Sequence, residues 1–367
     1  MSETHRDILL TGFPSFVSRR LFLSLYQSAP DATFRLLVRP DYVDAARHQL
    51  STMPLAEDAD VRILSGDVVA IDLGLSGREY LELVAKVTEI YHVASIWYLG
   101  VHRKQTWEVN VVGTQTILDA AYEMKNLKRL NHFSTAFVAG DREGVIMEDE
   151  LAEGQKFRNA YEETKFEAER LMLAAMDHLP ISIFRPSIIV GDSHTGEIDK
   201  LAGPYYLMYA IMLAPPNVPV LMPGKGDKPL NLVPIDFVTD AISIISQKDN
   251  AVGKTFHLCD PNPLSAQKVF SLVAEFTGKR APIRGIPYRL TKALMKFPGV
   301  ERTMRSPRQF MEDFNQLTIY NSINTLDLLE GQLACPPLTT YIEHLINYLQ
   351  DSTHDSFEMP EEGDILG

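Results

Sequence analysis

The stretch Ile8-Leu9-Leu10-Thr11-Gly12-Phe13-Pro14-Ser15-Phe16 decides the fold of this chain. It starts as a short apolar run, and the Thr-Gly pair that follows is typical of a turn. Apolar residues then recur at helical spacing over residues 17–26. The pattern predicts a strand, a tight turn and a helix, in that order.

Strand and helix signals alternate along the first half of the chain. Further strands are predicted at residues 34–38, 61–64, 89–93, 130–134 and 181–184, and helical patterns lie between them at residues 80–87, 114–124 and 161–176. Strands that alternate with helices pair in parallel. We therefore predict an α/β fold, a Rossmann-type doubly wound parallel sheet.

The alternation fades after Pro186. Residues 191–234 contain several prolines and an apolar block at 205–213, which either packs in a core or forms a substrate-side lid or channel. A strand at 254–258 and helices at 266–276, 290–296 and 338–349 follow. We expect a Rossmann domain over residues 1–190, a smaller substrate-binding portion over 191–350 that interleaves with the sheet around 230–260, and an acidic, solvated tail over 351–367.

Composition narrows the class of protein. The chain has 367 residues, of which 45% are hydrophobic and 23% charged, as in an ordinary globular protein. Its 35 basic and 48 acidic side chains give a net charge of −13, which disfavours nucleic acid as a partner. Cys259 and Cys335 are the two cysteines, and neither lies in a cluster with metal-ligand spacing, so we expect no metal site. No signal peptide or membrane-spanning run is found, and we predict a cytoplasmic protein without a transmembrane segment.

The first turn is a candidate dinucleotide site. Open parallel sheets bind ligands at the carboxyl ends of their strands, and the first helix N-terminus holds a pyrophosphate. The usual three glycines of this turn are here Gly12, Ser15 and Ser18. A serine hydroxyl at position 15 is expected to reach a phosphate oxygen, and Ser18 is small enough for helix packing. A plain connection between a strand and a helix is the alternative.

The residues after the second and third strands bear on the choice of cofactor. Arg39 directly follows the second strand, and an arginine there accommodates a 2′-phosphate. NADP(H) is therefore favoured over NAD(H), although Asp41 is placed to bind a ribose hydroxyl instead. Asp67 follows the third strand and is expected either to bond the adenine or to be a surface acid.

Tyr161 and Lys165 lie four residues apart, so that both face the same side of the predicted helix. In a cofactor cleft, the ammonium would lower the pKa of the phenol and make it a proton donor and acceptor beside a hydride carrier. The same spacing also occurs on solvated helix faces. The interpretation therefore depends on what else lies at the right distance.

Taken together, the motifs resemble those of the extended short-chain dehydrogenase/reductase family over residues 7–350. The motifs that carry the resemblance are Thr11-Gly12-Phe13-Pro14-Ser15-Phe16, Gly66-Asp67-Val68, His92-Val93-Ala94-Ser95, Asn110-Val111-Val112-Gly113-Thr114, Ser134-Thr135-Ala136-Phe137-Val138-Ala139-Gly140, Tyr161-Glu162-Glu163-Thr164-Lys165 and Arg185-Pro186-Ser187. The family normally has glycine at the position of Ser15. The resemblance implies an NAD(P)-dependent oxidoreductase.

The resemblance also implies roles for single residues. Thr135 would bond the substrate carbonyl oxygen, with Ser134 as the alternative if the register slips by one. Tyr161 would donate the proton, and Lys165 would lower its pKa and hold the nicotinamide ribose. Asn110 would support the lysine through water, unless it is an exposed helical asparagine. The implied cofactor-binding residues are Thr11, Gly12, Ser15, Phe16, Arg39, Asp67, Val68, Val93, Ala94, Ser95, Lys165, Pro186, Ser187 and Ile188, the last three through backbone groups beside the nicotinamide unless they simply end a strand.

Three phrases look like the fatty acyl reductase and thioester reductase branch: residues 132–140, residues 36–40, and Cys335-Pro336-Pro337 with the preceding residues 314–318. This branch implies NADPH-dependent reduction of a fatty acyl thioester, supplied as acyl-CoA or on a separate acyl carrier protein, to an aldehyde or alcohol. The alternatives are a dehydrogenase or epimerase of a hydroxysteroid, 3-oxoacyl or sugar-nucleotide substrate, and a non-catalytic nucleotide-binding protein. A homodimer through the helices at 114–124 and 161–176 is a further expectation from the family.

Overall fold

The central sheet forms because short apolar runs are buried on both of its faces, as parallel sheets require. In the first strand, Ile8 and Leu10 face one apolar cluster while Leu9 faces a second. The computed structural model describes residues 5–97, 102–223, 225–286 and 316–352. The strands in chain order are β1 (Asp7–Thr11), β2 (Thr33–Val38), β3 (Val61–Ser65), β4 (Glu89–His92), β5 (Arg129–Phe133), β6 (Gly144–Ile146), β7 (Ile181–Pro186), β8 (Ile188–Val190), β9 (Leu221–Pro223), β10 (Leu232–Pro234), β11 (Lys254–Leu258), β12 (Ile283–Ile286) and β13 (Thr318–Tyr320).

Helices connect these strands. They are α1 (Phe16–Ser28), α2 (Val43–Thr52), α3 (Gly77–Lys86), α4 (Arg103–Trp107), α5 (Gly113–Glu123), α6 (Ala160–Ala175), α7 (Pro204–Leu213), α8 (Ile235–Ile245), α9 (Ala266–Phe276), α10 (Ile323–Leu329) and α11 (Leu338–Ser352). A π-helix at Glu108–Val112 joins α4 to α5, and short 3-10 helices lie at Pro40–Tyr42 and Ala136–Ala139.

Seven parallel strands lie in the order β11-β7-β5-β4-β1-β2-β3. The order reverses between β1 and β4, which creates a crevice at their carboxyl ends. The cluster on one face includes residues of α1, α2, α8 and α10, and the cluster on the other includes residues of α3, α5 and α6. The predicted Rossmann-type doubly wound sheet is therefore confirmed.

A third apolar cluster packs α7, α9 and α11 against β8 and β10. Tyr205, Met208 and Ile211 of α7 are buried in it, so one face of the apolar block at 205–213 is a core face, while Leu213 is exposed. In contrast, α8 and β11 belong to the central sheet and its layers. The proposed domain boundary at residue 190 remains a prediction.

The predicted strands, and the helices predicted within the described residues, are present with small shifts at their ends. The sequence patterns did not indicate α2, which fully buries only Ala46, or α8, which is apolar on most of its surface. The helix predicted at 290–296 lies outside the described residues, as does the predicted tail from residue 353 onward; α11 extends to Ser352. No helix within the described residues is both long and apolar enough to cross a membrane.

Candidate active site

The turn after β1 brings the backbone of two loops into contact. Gly12 has a φ of +86°, and a Cβ atom there would lie 2.8 Å from the backbone nitrogen of Ala94. Only glycine fits at this position, because the positive φ is unfavourable for L-residues and the neighbouring atom is backbone. The close approach leaves backbone atoms at the mouth of the crevice, which suits a dinucleotide phosphate group.

Ser15 and Ser18 use their hydroxyl groups within the turn. Ser15 is the N-cap of α1: its Oγ accepts from the Ser18 backbone N–H at 3.4 Å and lies 3.1 Å from Ser18 Oγ. The Ser18 hydroxyl lies 2.9 Å from the Gly12 carbonyl oxygen. Serine therefore stabilises the turn where the family normally has glycine. The expected bond from Ser15 to a phosphate would have to replace its contact with Ser18.

A cleft lies beside this turn at the carboxyl ends of β1, β2 and β3. It brings together six of the predicted cofactor residues: Gly12, Arg39, Asp67, Val68, Ala94 and Ser95. Four further lining residues were not singled out from the sequence: Phe13, Leu37, Gly66 and Val109. The first three adjoin predicted residues in the chain, whereas Val109 reaches the cleft only through the fold.

Arg39 has acidic neighbours in the cleft. Its Nη2 atom lies 3.0 Å from Asp41 Oδ2, and its Nε atom lies 3.7 Å from Asp67 Oδ2. The guanidinium also stands over the Tyr42 ring, 5.4 Å from the centroid. Because these contacts occupy one side of the guanidinium, a 2′-phosphate would compete with Asp41 for it. The arrangement thus fits a charged adenosine group without deciding which cofactor is preferred.

A chain of hydrogen bonds links the phosphate turn to the catalytic side. Thr11 Oγ1 accepts from the backbone N–H groups of Val93 and Ala94 at 3.1 and 3.0 Å, so its own proton points to His92 Nδ1, 3.0 Å away. His92 Nε2 then donates to Thr114 Oγ1 at 3.1 Å. Burial lowers the pKa of His92 to about 3, which keeps the ring neutral as this pattern requires. Thr11 therefore supports the cleft from behind, as does Phe16 at the start of α1.

Asn110 is buried rather than exposed, because the π-helix turns its side chain inward. Its Oδ1 atom accepts from the Ile96 N–H at 2.7 Å, and its Nδ2 atom donates to the Ile96 carbonyl and to Thr164 Oγ1, both at 3.0 Å. Thr164 precedes Lys165 in α6. Asn110 thus holds the loop after β4 against the helix that carries Lys165.

Tyr161 and Lys165 lie on the inner side of α6 and meet the end of β5. Thr135 forms a side-chain hydrogen bond with Tyr161. Lys165 is buried, and its Nζ atom donates to the Phe133 carbonyl at 2.5 Å. The alternative catalytic residue, Ser134, instead donates its hydroxyl to Glu169. The structure therefore places Thr135, and not Ser134, beside the tyrosine.

The expectation of a lowered phenol pKa is wrong for this arrangement. Burial raises the pKa of Tyr161 to about 12, and the hydrogen bond with Thr135 offsets only part of this increase. Burial lowers the pKa of Lys165 to about 8, against an opposing effect of Glu169. The lysine ammonium is directed to the Phe133 carbonyl, which explains why it does not lower the phenol pKa here.

The segment Pro186-Ser187-Ile188 leaves β7 at the same edge of the sheet. The backbone N–H groups of Ser187 and Ile188 donate to the carbonyl oxygens of Leu258 and Asn231, at 3.2 and 3.3 Å. The Ser187 hydroxyl donates to Asn231 Oδ1 at 2.7 Å. These two N–H groups are therefore already engaged, and the predicted nicotinamide contact would depend on other backbone groups of the segment.

The fold and the site define an NAD(P)-binding reductase of the extended short-chain dehydrogenase/reductase type. The family model described as male sterility protein, an NAD-binding domain, matches residues 10–242. Because this match covers more than half of the chain, the protein belongs to that family. The predicted acyl and thioester reductase branch is thereby confirmed.

Curated relatives are much longer than this chain. A linear gramicidin synthase protein from Brevibacillus parabrevis is 29% identical over 267 residues, which are 69% of this chain and 5% of that protein. The fatty acyl-CoA reductase wat of Drosophila melanogaster is 28% identical over 212 residues, 50% of this chain and 40% of that protein. The chain thus spans less than half of either relative.

Solved structures match over nearly the whole chain. The terminal R domain from the myxalamid PKS-NRPS pathway is 25% identical with a TM-score of 0.79, covering 98% of this chain and 94% of that one. A thiolation-reductase di-domain from an archaeal non-ribosomal peptide synthetase has a TM-score of 0.75 at 16% identity, covering 95% and 76%. The second likeness concerns the fold alone.

Proposed function

We propose that this protein reduces a lipid-like acyl thioester to an aldehyde with NADPH. The observation that carries the proposal is the convergence of Thr135, Tyr161 and Lys165 at the edge of the sheet that also bears the cleft. The names of the fatty acyl-CoA reductase and of the reductase domains support the same chemistry. Arg39 supports NADP(H) over NAD(H), because it is a cation of the cleft that a 2′-phosphate would meet.

The Tyr161 and Thr135 hydroxyl groups suit a carbonyl that gains negative charge. A bound nicotinamide cofactor supplies the hydride, which adds to the thioester carbon. Tyr161 gives its proton to the carbonyl oxygen while Thr135 donates a hydrogen bond to the same atom. The raised pKa of Tyr161 keeps it protonated before the reaction. The carbon–sulfur bond then breaks, and the thiol and the aldehyde leave.

Lys165 supplies the positive charge of the site. Its ammonium lies beside Tyr161 on α6 and stabilises the phenolate that forms when the proton has been transferred. It is also placed to hold the nicotinamide ribose. Because its pKa is about 8, this charge is present at neutral pH and is lost as the pH rises through that value.

The direct test is to incubate the protein with NADPH and acyl-CoA of several chain lengths, and to measure aldehyde and free CoA. We expect equal amounts of both products. Tyr161→Phe should lower kcat roughly 100-fold to 10,000-fold, because general acid catalysis is lost. NADPH binding, followed by nicotinamide fluorescence, should persist in this variant.

Two outcomes would contradict the proposal. Turnover of a ketone or a sugar nucleotide with every thioester inert would favour the dehydrogenase or epimerase alternative. Failure to bind NADPH even at millimolar concentration would favour a non-catalytic protein. Delivery on an acyl carrier protein is tested by repeating the assay with an acylated carrier in place of acyl-CoA.

A further inference from the structure

Three consecutive residues at the end of β5 each contact one residue of a stripe on α6. Thr135 bonds to Tyr161, the Phe133 carbonyl accepts from Lys165, and the Ser134 hydroxyl donates to Glu169. Tyr161, Lys165 and Glu169 are spaced four residues apart, so they follow one another along a single helix face. The glutamate is therefore the third member of the face that carries the catalytic tyrosine and lysine.

Glu169 lies between two buried cations. It has no exposed surface, and Arg185 is 1% exposed. Arg185 binds the carboxylate through Nε at 2.9 Å and Nη2 at 2.5 Å. On the other side, Lys165 is one helical turn away and interacts electrostatically with Glu169. One carboxylate thus serves two positive charges, which is costly in a core unless its position is tightly defined.

Arg185 is fixed by partners on several segments. Its Nη1 atom lies 3.3 Å from the Glu148 carbonyl and 3.2 Å from His257 Nε2, and its Nη2 atom donates to the Glu150 carbonyl at 2.9 Å. His257 Nδ1 in turn donates to the Asn321 carbonyl at 2.6 Å. All five N–H groups of Arg185 therefore have an acceptor, so Glu169 is held by a rigid partner.

Within the described part of the chain, the groups that face Lys165 leave Glu169 as its source of negative charge. His92 of β4 and His132 of β5 are neutral, because burial lowers the pKa of both, and the lysine charge adds to that effect. From its own helix Lys165 faces Tyr161, which is protonated, and Glu169. Asn110 and Thr164, on the remaining side, are uncharged.

We propose that Glu169 is a positioning residue that holds Lys165 as a charged ammonium beside Tyr161, with Arg185 and Ser134 holding Glu169 in place. This inference rests on the catalytic role given to Lys165 in the proposed function. It predicts that removing the Glu169 charge changes the protonation of Lys165 and not only the stability of the fold.

The test is an NMR titration of protein labelled with 13C at lysine Cε, in which Lys165→Arg identifies the signal. Glu169→Gln should lower the titration midpoint of Lys165 by about 1 pH unit or more, because an opposite charge at close range is lost. The alkaline limb of kcat/KM should move downward by the same amount. If Glu169→Gln does not fold, Glu169→Met with Arg185→Met replaces the whole ion pair by apolar side chains, and the midpoint should again fall.

Glu148→Gln is the matched control. Glu148 is 3% exposed and accepts from the backbone N–H groups of His257 and Asn324, so it is a buried carboxylate of the same network. Its loss should lower stability and leave the Lys165 midpoint unchanged. An unchanged midpoint in Glu169→Gln, or an equal shift in Glu148→Gln, would overturn the proposal. The titration needs neither cofactor nor turnover, so its outcome is independent of whether acyl thioesters are substrates.

Discussion

Gly12→Ala should destabilise the protein and abolish cofactor binding. The φ of +86° costs an alanine about 1–2 kcal/mol. A lower unfolded-state entropy offsets roughly 0.4–1 kcal/mol of this, leaving about 1 kcal/mol. The new Cβ would also lie 2.8 Å from Ala94 N and 3.0 Å from Ala94 Cα, and such overpacking costs about 1–3 kcal/mol. The sum is a loss of about 2–4 kcal/mol in the free energy of unfolding.

Gly154→Ala separates the two causes. Gly154 has a φ of +80°, close to that of Gly12, but a Cβ there would have no heavy atom within 4 Å. Urea unfolding should therefore give a loss of about 1 kcal/mol for Gly154→Ala and a clearly larger one for Gly12→Ala. NADPH fluorescence should be retained only in the first. Equal losses for the two variants, with binding intact in both, would refute the close approach at Ala94 as the reason for glycine.

Three further results are expected. Arg39→Met should lower the preference for NADPH over NADH, measured as the ratio of kcat/KM values, by about tenfold or more, since a charge-assisted hydrogen bond is lost; an unchanged ratio would leave NADP(H) without support from this residue. Thr135→Val should lower kcat about 100-fold to 1,000-fold, and a comparable loss in Ser134→Ala would move the carbonyl donor to that residue. Stability should fall as the pH drops below about 6.5, because His92 and His257 have pKa values of about 3 in the folded protein and the unfolded chain takes up their protons first; each contributes about 1.4 kcal/mol per pH unit, and a urea midpoint that is the same at about pH 7 and pH 5 would contradict this.

Local patterns predicted most of the central sheet because its strands and helices carry their own signals. The run at Ile8 is buried on both faces and ends in a glycine that the turn requires. The helix of Tyr161 and Lys165 has the spacing that puts both on one face. Helices α2 and α8 were missed because one buries a single residue fully and the other is apolar over most of its surface, so neither shows a clear amphipathic pattern.

The sequence by itself determined the order of strands and helices, the special turn at Gly12 and the residue types available for proton transfer, since these depend on neighbours in the chain. Only the tertiary structure decided which hydroxyl meets Tyr161, because Ser134 and Thr135 are adjacent and the direction of each side chain depends on the packing of α6. The same holds for the protonation of Tyr161 and Lys165, which burial controls. Glu169, Arg185 and His92 gain their roles in the same way, through contacts between segments that are distant in the chain.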